Sequence, residues 1–196
     1  MSGYHHGNLR EAILERAAEV VETGGVEAVS LRALARDLGV SSTAPAKHFQ
    51  SRHDLLRTLA KDSYKGATRA VLSKVNGEDF IHPNTMAKAF VGWAIDNPSL
   101  FSTIMHPDIT RHADDELKAA LADFAAAVRH SLAKAQELGW QEDRSIDELF
   151  HSAIAFVRGL ALNVSDPLFK DVAGELDQTQ IADIIDQFFP RNLQTR

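Results

Sequence analysis

The chain has 196 residues, no cysteine and a formal net charge of −6. The missing cysteines exclude disulfides and thiolate metal sites, and no segment approaches the roughly 20 consecutive apolar residues that a membrane-spanning helix needs. The polar segment Met1–Arg10 does not resemble a signal peptide, so we expect a soluble, cytoplasmic protein. Residues 1–57 hold seven basic and seven acidic side chains, so the basic surface typical of nucleic-acid-binding proteins is not evident.

The first third of the sequence predicts four helices, and serine precedes three of them. Apolar residues recur at helical spacing, and glycines stop the pattern. Ser30 and Ser41 are candidate N-caps, and Ser51 with Asp54 resembles a capping box. We predict these helices over residues 9–23, 31–38, 41–48 and 51–75.

The remaining sequence is also helical in pattern. Asn97 followed by Pro98 predicts the start of a helix, and Ser145 with Glu148 forms a second capping box. No segment shows the alternation of a strand, so the predicted class is all-α, with about nine helices. We predict the later helices over residues 84–96, 98–106, 113–138, 145–164 and 179–189.

Residues 31–43 have the spacing of a helix-turn-helix. Ala35 is small enough for a second helix to pack against, and Gly39 permits the left-handed backbone of a tight turn. Val40 supplies an apolar residue after the turn, and Ser41 a cap for the second helix. This pattern favours a helix that enters the major groove of DNA. An ordinary helical hairpin inside a core is the alternative.

The stretch from about Leu9 to Leu56 resembles the DNA-binding domain of TetR-type (TetR/AcrR-like) transcriptional regulators. The resemblance rests on a first helix ending in Gly-Gly, on Val29–Arg32, on Gly39–Ser41 and on His48–Leu56. The segment Tyr4–Arg10 is similar to the N-terminal arm of one subgroup. The resemblance implies a helix-turn-helix DNA-binding domain over residues 1–57 and a ligand-binding and dimerisation domain over residues 58–196.

Two residues stand out in the predicted second helix of the motif. Most relatives carry an aromatic residue, commonly in contact with DNA, where this chain has Ala46. Pro45 removes one backbone hydrogen bond, so we expect a tightened helix.

The resemblance also implies which residues contact DNA. Arg32 is expected to reach a base edge, and the other residues to read bases or bind phosphates. Arg10 and His5 would join Tyr4 in an arm over the backbone, whereas Arg36 and Arg57 are equally well explained as solvated surface. The predicted DNA-binding residues are Tyr4, Arg32, Ser42, Thr43, Ala44, Lys47, His48, Ser51 and Arg52.

By the same resemblance, residues 58–196 enclose a small-molecule pocket and form a homodimer through the last two helices. The subgroup carries a histidine-glycine (WHG-like) pair where this chain has Arg158 and Gly159, which puts any role of that histidine in doubt. The predicted ligand-binding residues are Phe90, Trp93, Phe101, Met105, Phe124 and Phe156, although simple core packing is the usual role of such residues. The predicted dimer-interface residues are Phe150, Ile154, Val157, Ile181, Ile184, Ile185 and Phe188.

No catalytic signature is present, so we predict no enzyme and no cofactor. His106, Asp108 and His112 are close enough in sequence to coordinate a divalent ion, but a loop of scattered polar residues explains them better, and no metal site is predicted. The predicted function is a ligand-responsive transcriptional repressor that binds a palindromic DNA operator as a homodimer and is released by a small apolar or amphipathic effector. The alternative is a helical small-molecule-binding protein without a DNA role.

Overall fold

The computed structural model describes residues 9–74 and 81–190, and every regular element within them is helical. The all-α class is therefore confirmed. The short turns Val26–Ala28 and Pro45–Lys47 are 3-10 helices. The α-helices are α1 (Leu9–Gly24), α2 (Leu31–Asp37), α3 (Arg52–Leu72), α4 (Pro83–Asp96), α5 (Pro98–Met105), α6 (Pro107–Arg111), α7 (Asp115–Glu137), α8 (Ile146–Ser165), α9 (Pro167–Ala173) and α10 (Gln178–Phe188).

The predicted caps have three different outcomes. Ser145 and Glu148 form the expected reciprocal capping box at α8. Ser51 Oγ accepts from the Asp54 N–H at 3.1 Å, but the Asp54 carboxylate bonds the Gln50 N–H rather than that of Ser51. Ser30 has the extended backbone of an N-cap, yet its side chain makes no capping hydrogen bond, so that detail of the prediction is wrong.

Two short helices, α6 and α9, were not predicted. Both begin with proline at the first helical position, where its missing N–H costs nothing. The residue before each proline caps the helix: the His106 side chain accepts from the Asp108 N–H, and Asp166 accepts from the Leu168 N–H. Pro107 therefore lies just after α5 and starts α6.

The chain divides into two compact units. The first comprises Met1–Tyr64 and Pro98–Ala120, and α5 packs against α1 within it. The fully buried side chains of this unit come from both segments. Its core is therefore larger than residues 1–57 alone could form. These side chains include Ile13, Leu34, Phe49, Leu55, Leu56, Ile104 and Ile109.

The second unit comprises Lys65–Asn97 and Leu121–Arg196, with α8 and α10 packed against α4. One of its buried polar groups is Asn84, whose side-chain amide donates to Asp186 and to the Phe189 carbonyl. These bonds satisfy an amide that would otherwise be costly to bury. In residues 9–74 and 81–190, no helix is long and apolar enough to cross a membrane.

Candidate nucleic-acid interface

The turn between α2 and the following segment has the geometry that the sequence predicts. Gly39 has φ +67°, in the left-handed region that glycine adopts without strain. The Val40 N–H donates to the Ala35 carbonyl at 2.9 Å, which closes the turn. Ala35 is only 1% exposed, so its small side chain lies at the packing surface of α2 as expected.

Residues 41–48, which we call the recognition segment, do not form the regular helix predicted for them. A turn closes where the Ala44 N–H donates to the Ser41 carbonyl at 2.9 Å, and the 3-10 helix Pro45–Lys47 follows. Pro45 has no N–H to donate to the Ser41 carbonyl, so the α-helical bond at this step is missing. The expected tightening at Pro45 is therefore present, and it affects the whole segment.

The recognition segment has one buried side and one exposed side. Pro45 is buried, and Phe49, which follows the segment, is 1% exposed. Ala44 is half-buried. Six of the residues predicted to contact DNA have exposed side chains: Arg32, Ser42, Thr43, Lys47, His48 and Ser51. Tyr4, with His5 of the predicted arm, lies outside the described residues.

Arg32 and Lys47 are the two cations of this surface. Among the described residues, no acidic side chain pairs with either of them. Neighbouring acidic groups are instead paired elsewhere, since Asp37 accepts from Arg16 at 3.0 Å and Asp54 lies 3.6 Å from Arg57. Residues 1–57 hold equal numbers of basic and acidic side chains, but the charges are not evenly distributed. These acidic groups pair with other cations, and Arg32 and Lys47 remain without an acidic partner among the described residues beside the recognition segment.

Arg52 was predicted to bind phosphate, but its guanidinium is used inside the first unit. Its Nε donates to the Val29 carbonyl at 3.0 Å and its Nη2 to the Val26 carbonyl at 2.7 Å. A third nitrogen lies 3.7 Å from Asp108. Arg52 therefore links the start of α3 to the residues that precede α2. Because its guanidinium has these partners, it is not one of the proposed DNA contacts.

Two other basic residues also have partners within the unit. The Arg10 guanidinium lies 5.5 Å above the ring of Phe49, instead of extending as part of an arm. Arg57 pairs with Asp114 at 3.1 Å.

Glu27 accepts from its own backbone N–H and from His106 at 2.8 Å, and these bonds lower the pKa of its carboxyl below the ordinary value.

The six residues predicted to line one ligand pocket fall in both units. Phe90 contacts Trp93 and Phe124, with ring centroids 6.0 and 5.6 Å apart. Phe156 instead stacks on Phe188 at 4.1 Å. The other two, Phe101 and Met105, lie on α5 in the first unit.

The second unit contains an open groove of about 710 Å³ that the sequence analysis did not identify. Its walls come from α4, the end of α8, and the chain from α9 into α10. Apolar side chains such as Ile95 and Val164 lie beside charged ones such as Lys88 and Lys170. None of the six predicted residues lines this groove.

The predicted dimer-interface residues fall into two groups. Ile181 and Ile185 are 8% and 0% exposed in the single chain, so most of their surface packs within it. Phe188 retains 37% of its surface. Phe150, Ile154, Val157 and Ile184 are half-buried.

Comparisons with known proteins agree with this geometry. The profile of the family described as "Bacterial regulatory proteins, tetR family" matches residues 13–59. The HTH-type transcriptional regulator Rv1816 of Mycobacterium tuberculosis is 31% identical over 112 residues, which cover 50% of this chain and 47% of that protein. The chain thus spans about half the length of the curated relatives it matches.

Solved structures extend the likeness to nearly the whole fold. A protein of unknown function from Rhodococcus sp. RHA1 has a TM-score of 0.77 and 27% identity, covering 99% of this chain and 100% of that one. AibR, solved in complex with isovaleryl coenzyme A and operator DNA, has a TM-score of 0.69 and 21% identity, covering 92% and 97%. At this identity the AibR comparison shows the fold alone.

The matched family is described as regulatory proteins and the curated relatives as transcriptional regulators, which agrees with the prediction that the chain is not an enzyme. The helix-turn-helix that the sequence predicts lies inside the matched residues 13–59. Residues 13–59 of the chain thus match the tetR family of bacterial regulatory proteins.

Proposed function

We propose that this regulator is a repressor that binds a palindromic operator as a homodimer and releases it when a small molecule binds the second unit. The observation that carries the proposal is the recognition segment, which exposes polar and basic side chains next to the left-handed turn at Gly39. In a core hairpin, the alternative weighed for this sequence, that surface would be buried.

The exposed side chains suit two kinds of DNA contact. Lys47 and His48 are placed to bind phosphates, and Arg32 to reach a guanine edge. Ser42 and Thr43 supply hydroxyl groups, while the exposed methyl group of Ala46 suits a thymine methyl group. Lys47 would contribute about one unit to the dependence of the affinity on salt, because each phosphate contact releases counterions.

A dimer would place two recognition segments in successive major grooves, about 34–36 Å apart. The half-buried residues Phe150, Ile154 and Val157 on α8, with Ile184 and Phe188 on α10, are the surface we propose for it. Such a pair of helices, doubled by symmetry, makes a four-helix bundle.

The effector is proposed to be amphipathic, because the groove of the second unit combines apolar walls with lysine and carboxylate side chains. AibR was solved with isovaleryl coenzyme A, so short acyl thioesters are the first compounds to test. Such a ligand releases DNA only if it binds the released conformation better than the DNA-bound one. Helix α3 belongs to both units, and we propose that its displacement transmits the change.

A gel shift with the DNA that flanks its own gene tests the proposal. We expect salt-sensitive binding, which Lys47→Ala weakens at least tenfold while flattening the salt dependence. Lys118→Ala is the matched control, since Lys118 is exposed in the same unit but pairs with Asp115. Equal binding by both variants would remove the recognition segment from the interface. No salt-sensitive binding to any promoter fragment would favour a ligand-binding protein without a DNA role.

A further inference from the structure

Two histidines and one carboxylate that are distant in the sequence meet in the first unit. His53 lies in the first turn of α3, Asp108 in the first turn of α6, and His112 directly after α6. The His53 Nε2 atom lies 3.2 Å from Asp108 Oδ2, and the His112 Nδ1 atom lies 3.4 Å from Asp108 Oδ1. One potential ligand atom from each residue falls within 4.8 Å of the others.

We propose that His53, Asp108 and His112 bind a divalent first-row transition metal ion. Imidazole nitrogen and carboxylate oxygen suit such ions, and two histidines with one carboxylate is a recurrent ligand set. Metal–ligand bonds of about 2.0–2.2 Å at near-tetrahedral angles separate neighbouring ligand atoms by about 3.3–3.6 Å. Each histidine nitrogen lies at about this distance from one Asp108 oxygen, and modest side-chain rotation would bring all three ligand atoms, now within 4.8 Å, to it. The three side chains are 44%, 33% and 51% exposed, so water can complete the coordination.

His106 is close to Asp108 and His112 in the sequence, but it does not belong to this cluster. The structure assigns both ring nitrogens of His106 elsewhere: Nδ1 accepts from the Asp108 N–H, and Nε2 bonds Glu27 at 2.8 Å. His53 lies 55 positions before Asp108 in the chain, too far for a search of local spacing to find.

Arg52 and the existing hydrogen bonds are the features that oppose an ion. The Arg52 guanidinium lies 3.7 Å from Asp108 Oδ2, but its bonds to the Val26 and Val29 carbonyls hold it on that side of the carboxylate. Ligation through Oδ1, which lies 3.4 Å from His112 Nδ1, requires the His53 ring to shift from its present position beside Oδ2. His112 Nδ1 also donates to the Asp108 carbonyl at 2.8 Å, a bond that ligation through Nδ1 must replace.

Titration of the full chain with Co²⁺, followed by its visible absorption, and with Zn²⁺, followed by calorimetry, tests the site. Because His5 and His6 are potential competing ligands, the parent protein carries His5→Asn and His6→Asn. We expect this parent to bind one ion per chain. Adding His53→Asn and His112→Asn should weaken binding at least tenfold, whereas His130→Asn, an exposed histidine on α7, should leave it unchanged.

Thermal unfolding without metal shows whether the double substitution preserves the fold. If it does not, His112→Asn alone carries the test, because this side chain is half exposed. Equal affinity in parent and variant would overturn the proposal, and so would the absence of saturable binding by the parent. None of these measurements uses DNA, so a negative result for metal binding does not contradict the proposed function. A negative result for DNA binding likewise does not contradict the proposed metal site.

Discussion

Arg52 and Lys47 are basic residues five positions apart that have different surroundings. The Arg52 guanidinium bonds two backbone carbonyls of its own chain, whereas Lys47 is exposed and has no acidic partner among the described residues. From the sequence both look like phosphate contacts. Only the fold brings Val26 and Val29 to Arg52, so no local pattern separates the two roles.

Arg52→Ala should therefore lower the free energy of unfolding, by about 2–3 kcal/mol, because two charged hydrogen bonds to backbone carbonyls are lost. Lys47→Ala should change it by less than about 0.5 kcal/mol, as exposed substitutions usually do. Urea unfolding followed by circular dichroism measures both. Equal stability of the two variants would show that the Arg52 contacts do not hold the unit together.

At the scale of the elements, helix α7 begins at a carboxylate cap. Asp114 accepts from the Leu117 N–H at 2.8 Å and lies beside Arg57 and Lys61. The backbone hydrogen bond, aided by these cations, lowers the pKa of the Asp114 carboxyl against the opposing effect of burial. The ionised cap thus stabilises the folded state.

Asp114→Ala should cost about 1 kcal/mol of unfolding free energy at neutral pH, the usual effect of losing a cap. Because the pKa is lower in the folded chain, the ionised group contributes fully above the ordinary carboxyl pKa, and this contribution is lost as the pH falls through the folded value. Urea unfolding at pH 7 and below about pH 4 measures the free energy of unfolding of the parent protein and of Asp114→Asn. The difference between the two proteins should be smaller at the acidic pH. A constant difference would contradict the assignment.

Prediction from the sequence succeeded for two features whose signals are local. The capping box at Ser145 and the glycine turn at Gly39 need only neighbouring residues, and both are present as expected. The signals of α6 and α9 were also local, since Pro107 and Pro167 each follow a capping side chain. The recognition segment was predicted to be a regular helix. This prediction was wrong because Pro45 has no N–H to donate to the Ser41 carbonyl, and the helical bond at this step is missing.

At the scale of the whole molecule, the groups that need several helices could not be predicted. Phe90 and Phe156 are both aromatic residues on amphipathic helices, and nothing local assigns one to Phe124 and the other to Phe188. The same holds for Ile185, whose spacing fits an interface although it is fully buried in its own chain. Helical periodicity identifies the apolar face of a helix, but it does not identify the side chains that pack against that face.

Gly159 provides a test of the proposed dimer. A Cβ atom there would meet nothing within 4 Å among the described residues, so in a single chain Gly159→Ala should stabilise α8 by about 1 kcal/mol. If α8 of a second copy approaches at this glycine, the added methyl group should instead raise the dimer dissociation constant at least tenfold, as measured by sedimentation equilibrium.

Gly92→Ala is the control, because Gly92 is equally open but lies on α4. It should leave the dissociation constant unchanged. Higher thermal stability of Gly159→Ala with an unaltered dimer would place the interface elsewhere.

The entry of the recognition segment into the major groove is tested most directly by cleavage from a fixed position. The chain has no cysteine, so Thr43→Cys gives a unique attachment point for an iron chelate that cuts the DNA backbone. On DNA that the protein binds, we predict cuts at two positions about one helical turn apart, and none from Lys118→Cys. Binding without cleavage from residue 43, or cleavage equal from both positions, would contradict the account.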